Sequence, residues 1–291
     1  MDFQLTEDQR ALRDGVREIL EGRFDAAALR GAADSGAPSL DRALWRELGD
    51  AGFFSLRVPE AEGGVGLGLP EAVLAFEEAG RALLTGPLVA TFLAAGDVAG
   101  AAQGATVVTA ASGGLVPWLE EADVVRGDVS GAVPLRSVDP LTPLHRVPGD
   151  GGEGGAADAE GDLLIAAEQL GSAGKTCETA VRYARERTQF GQAIGAFQAV
   201  KHLCAQMLVR AEVARAAVYA ASVTGDGGEI TGAKLLADEA AVRNARDCLQ
   251  VHGGMGFTWE ADVHLHLKRA WVRAGLGRSA ARAEEELAAA L

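Results

Sequence analysis

The fold of this chain is decided by residues 163–198, which read LLIAAEQLGSAGKTCETAVRYARERTQFGQAIGAFQ. The first part of this stretch carries apolar or small residues at alternating spacings of three and four, namely Leu163, Ala166, Leu170, Ala173, Cys177, Ala180 and Ala184. That spacing places them in one stripe along a single long helix. Because most of them are small, another helix can approach closely, and the pattern predicts a helix that belongs to a bundle.

Two further runs with similar spacing follow this helix. Their members are Val200, Leu203, Met207, Ala211, Ala214, Val218 and Ala221 in the first run, and Leu236, Ala240, Ala241, Ala245 and Leu249 in the second. A Gly-Asp-Gly-Gly turn separates the two runs, and the tail from Val263 onward is compatible with one or two more helices. We therefore predict a C-terminal four-helix bundle within a domain that covers residues 151–291.

Residues 1–102 also show a helical pattern, interrupted by loops. Thr6 and Gln9 have the spacing of a capping box, Asp41 precedes a second apolar run, and Pro70 stands in the first turn of a third. The glycines of 62–68 fall near a phosphate-binding dinucleotide fingerprint, but no strand precedes them. A loop that needs positive φ is the favoured interpretation. This part is predicted to be an N-terminal helical domain.

Residues 103–150 differ in sequence pattern from the helical regions on either side, and this pattern predicts a small β segment. Short β-leaning runs at 105–109, 122–125 and 132–135 are separated by Gly, Asp and Pro. The segment closes in the Gly-rich stretch 149–161, which has little apolar area to bury and is predicted to be an exposed linker. The fold class is thus mainly α, with a reduced β middle segment.

Composition restricts the partners and the compartment. The net charge of −14 disfavours a nucleic acid, and neither a signal peptide nor a membrane span is visible, so we expect a cytoplasmic protein. The three cysteines lack CxxC spacing and are predicted to be reduced thiols packed in helices. His264 and His266 lie two apart and cannot chelate together on a helix, so no metal site is predicted.

Two corners of the predicted bundle carry residues that could bind a ligand. Arg187 ends the long helix, and Phe190 follows at the turn; a guanidinium there can bind a pyrophosphate, or can simply be a favourable cation at a helix C-terminus. Gly253 and Gly254 follow Gln250, where missing Cβ atoms let the backbone approach a ligand or cap the helix. Spacing alone leaves both pairs of alternatives open.

The segments YARERTQFGQAIGAFQ (183–198) and QVHGGMGF (250–257) together resemble the acyl-CoA dehydrogenase family. In that family the corresponding Arg, Phe and Gln contact the FAD of a neighbouring subunit, which implies this role for Arg187, Phe190 and Gln198. The Gln-x-x-Gly-Gly turn contacts the adenosine diphosphate of FAD across a dimer interface. The resemblance therefore implies FAD contacts for Gln250, Gly253 and Gly254, and an acyl-CoA substrate of lipid metabolism.

The chain departs from the family at the catalytic base. Gapless readings place the two known base positions at Gly277 and Gly161, and neither residue can remove a proton. The nearby carboxylates Glu160, Asp162 and Glu168 are weak candidates, and a role as solvated or helix-capping groups is favoured for them. The β segment also lacks the loop and the Trp-containing strand that normally enclose the flavin.

This combination is similar to the shorter subunit of two-component, heterotetrameric acyl-CoA dehydrogenases, which act on sterol side chains. The runs 166–171 (AAEQLG) and 139–144 (DPLTPL) support the likeness. It implies a hetero-oligomer with a second acyl-CoA dehydrogenase subunit that supplies the base, although a homodimer stays open. The alternatives are a catalytically inactive structural subunit, a flavin-free binding module, and a flavin-dependent oxidase or monooxygenase on the same fold.

Overall fold

The computed structural model describes residues 4–36, 38–148 and 158–290. Helices dominate this part of the chain, which confirms the mainly α class. The helices are α1 (Glu7–Arg23), α2 (Ala26–Asp34), α3 (Arg42–Asp50), α4 (Leu69–Ala82), α5 (Leu88–Leu93), α6 (Ala159–Glu186), α7 (Gln198–Thr224), α8 (Gly227–His252), α9 (Val263–Ala274) and α10 (Ala280–Ala289). None of these helices combines the length and apolarity needed to cross a bilayer.

The N-terminal helices follow the sequence signals closely. The capping box is present at the start of α1, where Gln9 N donates to Thr6 Oγ1 at 3.2 Å and Thr6 N donates to Gln9 Oε1 at 3.1 Å. Asp41 caps α3, and the 62–68 stretch is a loop in which Gly63 and Gly66 have φ of 82° and 71°. The loop interpretation is confirmed. Helix α2 was not predicted, because its run is short and rich in Ala without a clear apolar period.

The middle segment consists of five strands of three residues each. They are β1 (Val108–Ala110), β2 (Leu115–Pro117), β3 (Val124–Arg126), β4 (Val133–Leu135) and β5 (Leu144–Arg146). Strands β1 and β3 pair in parallel, and β5 lies between β2 and β4 in an antiparallel sheet. The sequence indicated β1, β3 and β4, whereas β2 and β5 were not predicted.

The predicted linker over 149–161 is partly wrong. Residues 149–157 lie outside the described residues, but Asp158 caps α6 by accepting from Glu160 N at 3.1 Å, so the helix begins at Ala159. The linker prediction therefore extended into the first turn of the helix. The Gly-Asp-Gly-Gly turn was likewise too long, because Asp226 caps α8 and the helix starts at Gly227.

Helix α6 is the centre of the fold and packs against α4, α7 and α8. All seven members of its predicted stripe are buried. At Gly171 the helix approaches α4 so closely that a Cβ atom would collide with the Glu77 carbonyl, so this crossing needs a glycine. Leu236 was assigned to the core stripe of α8, but it is exposed, because the buried side of that helix runs through Ala233, Ala237 and Ala241.

Candidate functional site

The chain turns a corner where α6 ends. Arg187 is the C-cap residue with an extended backbone, and its N–H donates to Tyr183 O at 2.8 Å. Ile194 N donates to the Arg187 carbonyl at 2.8 Å, which ties the following hairpin, β6 (Thr188–Gln189) and β7 (Gln192–Ala193), to the helix end. The Arg187 guanidinium is exposed and has no hydrogen bond or ion pair within the described residues. It is available to an anion from outside the chain.

Phe190 and Gly191 form the two-residue tip of this hairpin. Both have left-handed backbones, with φ of 54° and 81°, as a tight two-residue hairpin requires. For a residue other than Gly this conformation costs about 1–2 kcal/mol. The Phe190 side chain is 90% exposed. Its ring lies edge to face with the Phe197 ring, and the two ring centroids are 6.1 Å apart. A strained backbone that holds an apolar ring in solvent indicates a surface meant for another molecule.

Helix α8 ends in two glycines that differ in what they require. Gly253 has φ 60° and ψ −141°, a conformation that is open essentially to glycine alone. Gly254 has no positive φ, and a Cβ atom there would meet no atom within 4 Å. The chain itself therefore has no need for a glycine at 254. The space above it is open for a ligand or a partner, and the exposed Gln250 lies in the last turn of the same helix.

These residues come together at one end of the bundle. The Tyr183 ring of α6 stacks on the His252 ring of α8 with centroids 4.0 Å apart, so the Arg187 corner and the glycine turn lie side by side. Gln198 opens α7 after a 3₁₀ turn (Ile194–Ala196) that follows the hairpin, and it is exposed. Sequence reasoning missed Phe257, which is 73% exposed at the same end. The signal that could have identified Phe257 is an aromatic residue that follows the Gly253–Gly254 pair and belongs to none of the apolar stripes.

This set fits one side of an FAD. It offers a free guanidinium for a pyrophosphate, an exposed aromatic ring, and backbone at Gly253 and Gly254 that a flat ligand can approach. All six predicted contact residues are exposed, so the chain can cover a cofactor from one side only. The FAD role of each of these residues stays a prediction.

The opposite end of α6 holds the expected base position, and it is closed. Asp162 is 2% exposed, and its Oδ1 accepts from Arg278 N at 2.9 Å. Gly277 has φ 69°, and a Cβ atom built there would collide with the same Asp162 oxygen. Burial raises the pKa of the Asp162 carboxyl. The carboxylate of Asp162 thus fills the space that a side chain at 277 would need.

The other two nearby carboxylates are engaged in ion pairs. Glu168 Oε1 accepts from Arg273 Nη2 at 2.5 Å, and both side chains are buried. Burial lowers the pKa of the Arg273 guanidinium to about 10, and the charge of Glu168 acts against this decrease. Glu160, in the first turn of α6, pairs with Arg57. Both carboxylates are therefore engaged with arginines, and Glu168 is also buried.

The histidines face separate neighbours. The His264 ring stacks on Trp259 with centroids 4.9 Å apart, whereas His266 Nδ1 lies 2.8 Å from Ser172 Oγ. In the part of the chain that the structure describes, no three His, Cys, Asp or Glu side chains are grouped so that they could hold a metal ion.

Known protein families match the N-terminal and the C-terminal part of the chain. Residues 6–105 match the family described as acyl-CoA dehydrogenase, N-terminal domain, and residues 159–281 match acyl-CoA dehydrogenase, C-terminal domain. Acyl-CoA dehydrogenase IpdE2 of Mycobacterium tuberculosis (strain ATCC 25618 / H37Rv) is 35% identical over an alignment of 293 positions, which covers 91% of each chain. IpdE2 therefore has nearly the same length as this chain.

Two further relatives differ in what they cover. Acyl-CoA dehydrogenase FadE34 of the same organism is 33% identical over 91% of this chain, but the chain spans only 45% of FadE34. The crystal structure of the ChsE4-ChsE5 complex from Mycobacterium tuberculosis superposes with a TM-score of 0.76 at 24% identity, over 94% of each chain, and shows the shared fold. The resemblance to the acyl-CoA dehydrogenase family, including a relative of nearly the same length, is confirmed. The chain belongs to the acyl-CoA dehydrogenase family.

Proposed function

We propose that this chain is one subunit of an FAD-dependent acyl-CoA dehydrogenase, which oxidises an acyl-CoA thioester between its α and β carbons together with a second subunit of the family. One observation carries the proposal. Both base positions of the family are glycines here, and the buried Asp162 occupies the space above Gly277. A chain of this kind needs a carboxylate from elsewhere to remove the α-proton.

The chain's own contribution lies at the exposed end of α6. A bound FAD would supply the acceptor for the β-hydrogen of the substrate, which leaves as a hydride. Arg187 would bind the pyrophosphate through paired charge-assisted hydrogen bonds, and Phe190 would cover an apolar part of the cofactor and exclude water. The backbone at Gly253 and Gly254 would lie against the adenosine diphosphate. Because all these groups are exposed, the other side of the cofactor has to be enclosed by a partner.

Helix α7 provides a surface for such a partner. Four large aliphatic residues on it are about half exposed or more, with Val209 at 61%; they are Leu208, Val209, Val213 and Val223. At about 100° per residue they fall within an arc of roughly 140°, so they form one apolar stripe on the helix. A stripe of this kind favours burial against another protein. The double length of FadE34 supports a partner of the same family, since one part of that chain corresponds to this one.

A catalytically inactive structural subunit is the second candidate. The same observation favours it, namely that Asp162 occupies the space above Gly277. A chain without an accessible base can also serve to stabilise a complete partner. The two candidates differ at the cofactor. A subunit that shares the FAD site loses flavin from the complex when Arg187 or Gln250 is changed, whereas a purely structural subunit does not.

The first test is the visible absorption spectrum of the purified chain, alone and co-purified with a full-length acyl-CoA dehydrogenase partner. We expect a flavin band in the complex only. Arg187→Gln should lower its flavin content severalfold or more, while Arg185→Gln removes the same charge two residues earlier on the exposed side of α6 and should not. Full flavin in the Arg187→Gln complex would favour the structural role.

The second test separates the source of the base. Asp162→Asn keeps the oxygen that accepts from Arg278 N but removes the negative charge. We expect the complex to keep both its flavin and its dehydrogenase activity, because the base belongs to the partner. Loss of activity by several orders of magnitude with full flavin content would instead identify Asp162 as the base.

A further inference from the structure

The loop 258–262 connects the glycine turn to α9. It follows directly on the 3₁₀ turn Gly253–Phe257, which carries both glycines of the predicted cofactor site and the exposed Phe257 ring. Thr258 ties the loop to this turn, because its N–H and its hydroxyl both donate to the Met255 carbonyl, at 3.1 and 2.9 Å. A contact that fixes the loop therefore also fixes the turn.

Arg30 of α2 binds this loop at three positions. Its Nη1 donates to the Trp259 carbonyl at 2.5 Å, and its Nη2 donates to the Glu260 carbonyl at 3.3 Å. The same guanidinium pairs with the carboxylate of Asp262, the residue that precedes α9. A planar group with five N–H donors in a fixed fork can make these contacts at once, whereas a lysine ammonium lacks this fork. The loop is thereby held to the N-terminal helices.

Asp34 adds a side-chain attachment to these backbone contacts. Its Oδ1 accepts from Trp259 Nε1 at 2.5 Å. The indole ring is also held from α9, since it stacks on His264 and its centroid lies 4.7 Å from Lys268 Nζ. Arg30 and Asp34 are four residues apart and therefore lie on the same side of α2. The loop is thus held between α2 and α9.

Helix α2 is itself anchored in the hydrophobic core. Leu29 and Ala33 are buried there, at 8% and 4% exposure. Arg30 and Asp34 are the only charged residues of the helix, and both contact the loop that follows the glycine turn. An anchored helix that presents its two charges to this loop gives the turn a fixed support from the N-terminal part of the chain.

We propose that Arg30 and Asp34 are positioning residues of the predicted cofactor site: they hold the loop 258–262 and so keep the glycine turn and the Phe257 ring in place for FAD. This inference rests on the function proposed above, because it takes FAD as the ligand of the turn. A turn that is already in place loses little conformational freedom when a ligand binds. Where only a fraction of the molecules holds the turn correctly, the apparent affinity falls by that fraction.

The dissociation constant of FAD in the co-purified complex, measured from the flavin retained on serial dilution, tests this role. Arg30→Gln should raise it at least about tenfold, the factor that a charged hydrogen bond contributes. Arg30→Lys keeps the charge opposite Asp262 but loses the fork, so it should raise the constant less. Arg23→Gln is the matched control, because it breaks another ion pair of the N-terminal helices, that with Glu47, and it should leave the constant unchanged.

Two readouts separate positioning from a general loss of stability. In a Phe257→Ala background, Arg30→Gln should weaken FAD binding less, since part of what Arg30 positions is then gone. Chymotrypsin cuts after aromatic residues, so it should cleave the full chain after Phe257 and Trp259 several times faster in Arg30→Gln than in Arg23→Gln. This second readout needs neither flavin nor a partner.

Thermal unfolding of each variant identifies any that has lost its fold. If Arg30→Gln does not fold, Trp259→Phe replaces it as the test; it keeps a ring beside His264, removes only the donor to Asp34, and should weaken FAD binding in the same direction. An unchanged dissociation constant in the folded variant would overturn the positioning role and leave the proposed dehydrogenase function in place. Equal losses in Arg30→Gln and Arg23→Gln would also overturn it. An unmodified complex without flavin would overturn both.

Discussion

Gly277 is the position at which the closure of the expected base site can be measured. Replacement by Ala adds one Cβ atom to a residue with φ 69°, which costs about 1–2 kcal/mol for the left-handed backbone alone. The same atom would lie well inside the 3.0 Å that real Cβ atoms keep from their neighbours, against Asp162 Oδ1. Overpacking of this kind costs about 1–3 kcal/mol. We therefore expect Gly277→Ala to lower the free energy of unfolding by about 2–5 kcal/mol.

A double-mutant cycle separates the two contributions. In an Asp162→Ala background the collision is gone, so Gly277→Ala should cost only the backbone part, about 1–2 kcal/mol. The coupling between the two positions should then be about 1–3 kcal/mol. Gly275→Ala is the matched control in the same loop, because its φ is −88° and a Cβ atom there stays 3.3 Å or more from its neighbours.

Urea unfolding followed by far-UV circular dichroism gives all four free energies. A loss below about 0.5 kcal/mol for Gly277→Ala would mean that the loop moves freely and that the site is open. Equal losses in both backgrounds would show that Asp162 is not the obstacle. Either result would remove the observation on which the need for a partner's base depends.

Three further predictions follow from the same geometry. The pKa of Asp162 is raised in the folded state, so the folded protein holds this proton more tightly than the unfolded chain does. Relative to Asp162→Asn, the unmodified protein should therefore lose stability as the pH rises from the ordinary pKa of 3.8 through the folded pKa. Urea titrations at several pH values measure this difference. Burial raises the pKa of Cys177 to about 11 and of Cys248 to about 12, so a thiol reagent should modify the half-buried Cys204 first, and Cys204→Ser should remove the fast phase. Phe190→Asn should stabilise the isolated chain by up to about 1 kcal/mol, because Asn tolerates the left-handed backbone, while flavin retention by the complex falls; unchanged flavin would show that the ring does not contact it.

Local sequence signals predicted the helices because each signal depends on near neighbours. The stripe from Leu163 to Ala184 is buried throughout, and the Thr6–Gln9 capping box forms as expected. A helical period and a cap are properties of a few consecutive residues, so both can be read without the fold. The same holds for the glycine loop at 62–68, where positive φ was the deciding requirement.

Features that depend on distant residues could not be predicted in this way. The Asp162–Gly277 contact joins positions 115 apart in the sequence. An acidic residue in the first turn of a helix does not predict that a distant loop glycine contacts it, and the glycine does not predict the acidic residue. Leu236 was misplaced because one apolar residue at the edge of a stripe looks the same in sequence as one at its centre.

The two ends of α6 are built in opposite ways, and this contrast carries the argument for a shared active site. At the C-terminal end a guanidinium, a strained aromatic tip and a glycine turn face outward, where they contribute little to the stability of the chain. At the N-terminal end a carboxylate that could do chemistry is buried, at a cost that its raised pKa reflects. An enzyme complete in one chain needs the reverse, an enclosed cofactor and an accessible base. The arrangement agrees with the proposal that a second subunit covers the cofactor and brings the base, and the exposed apolar residues of α7 are available to such a subunit.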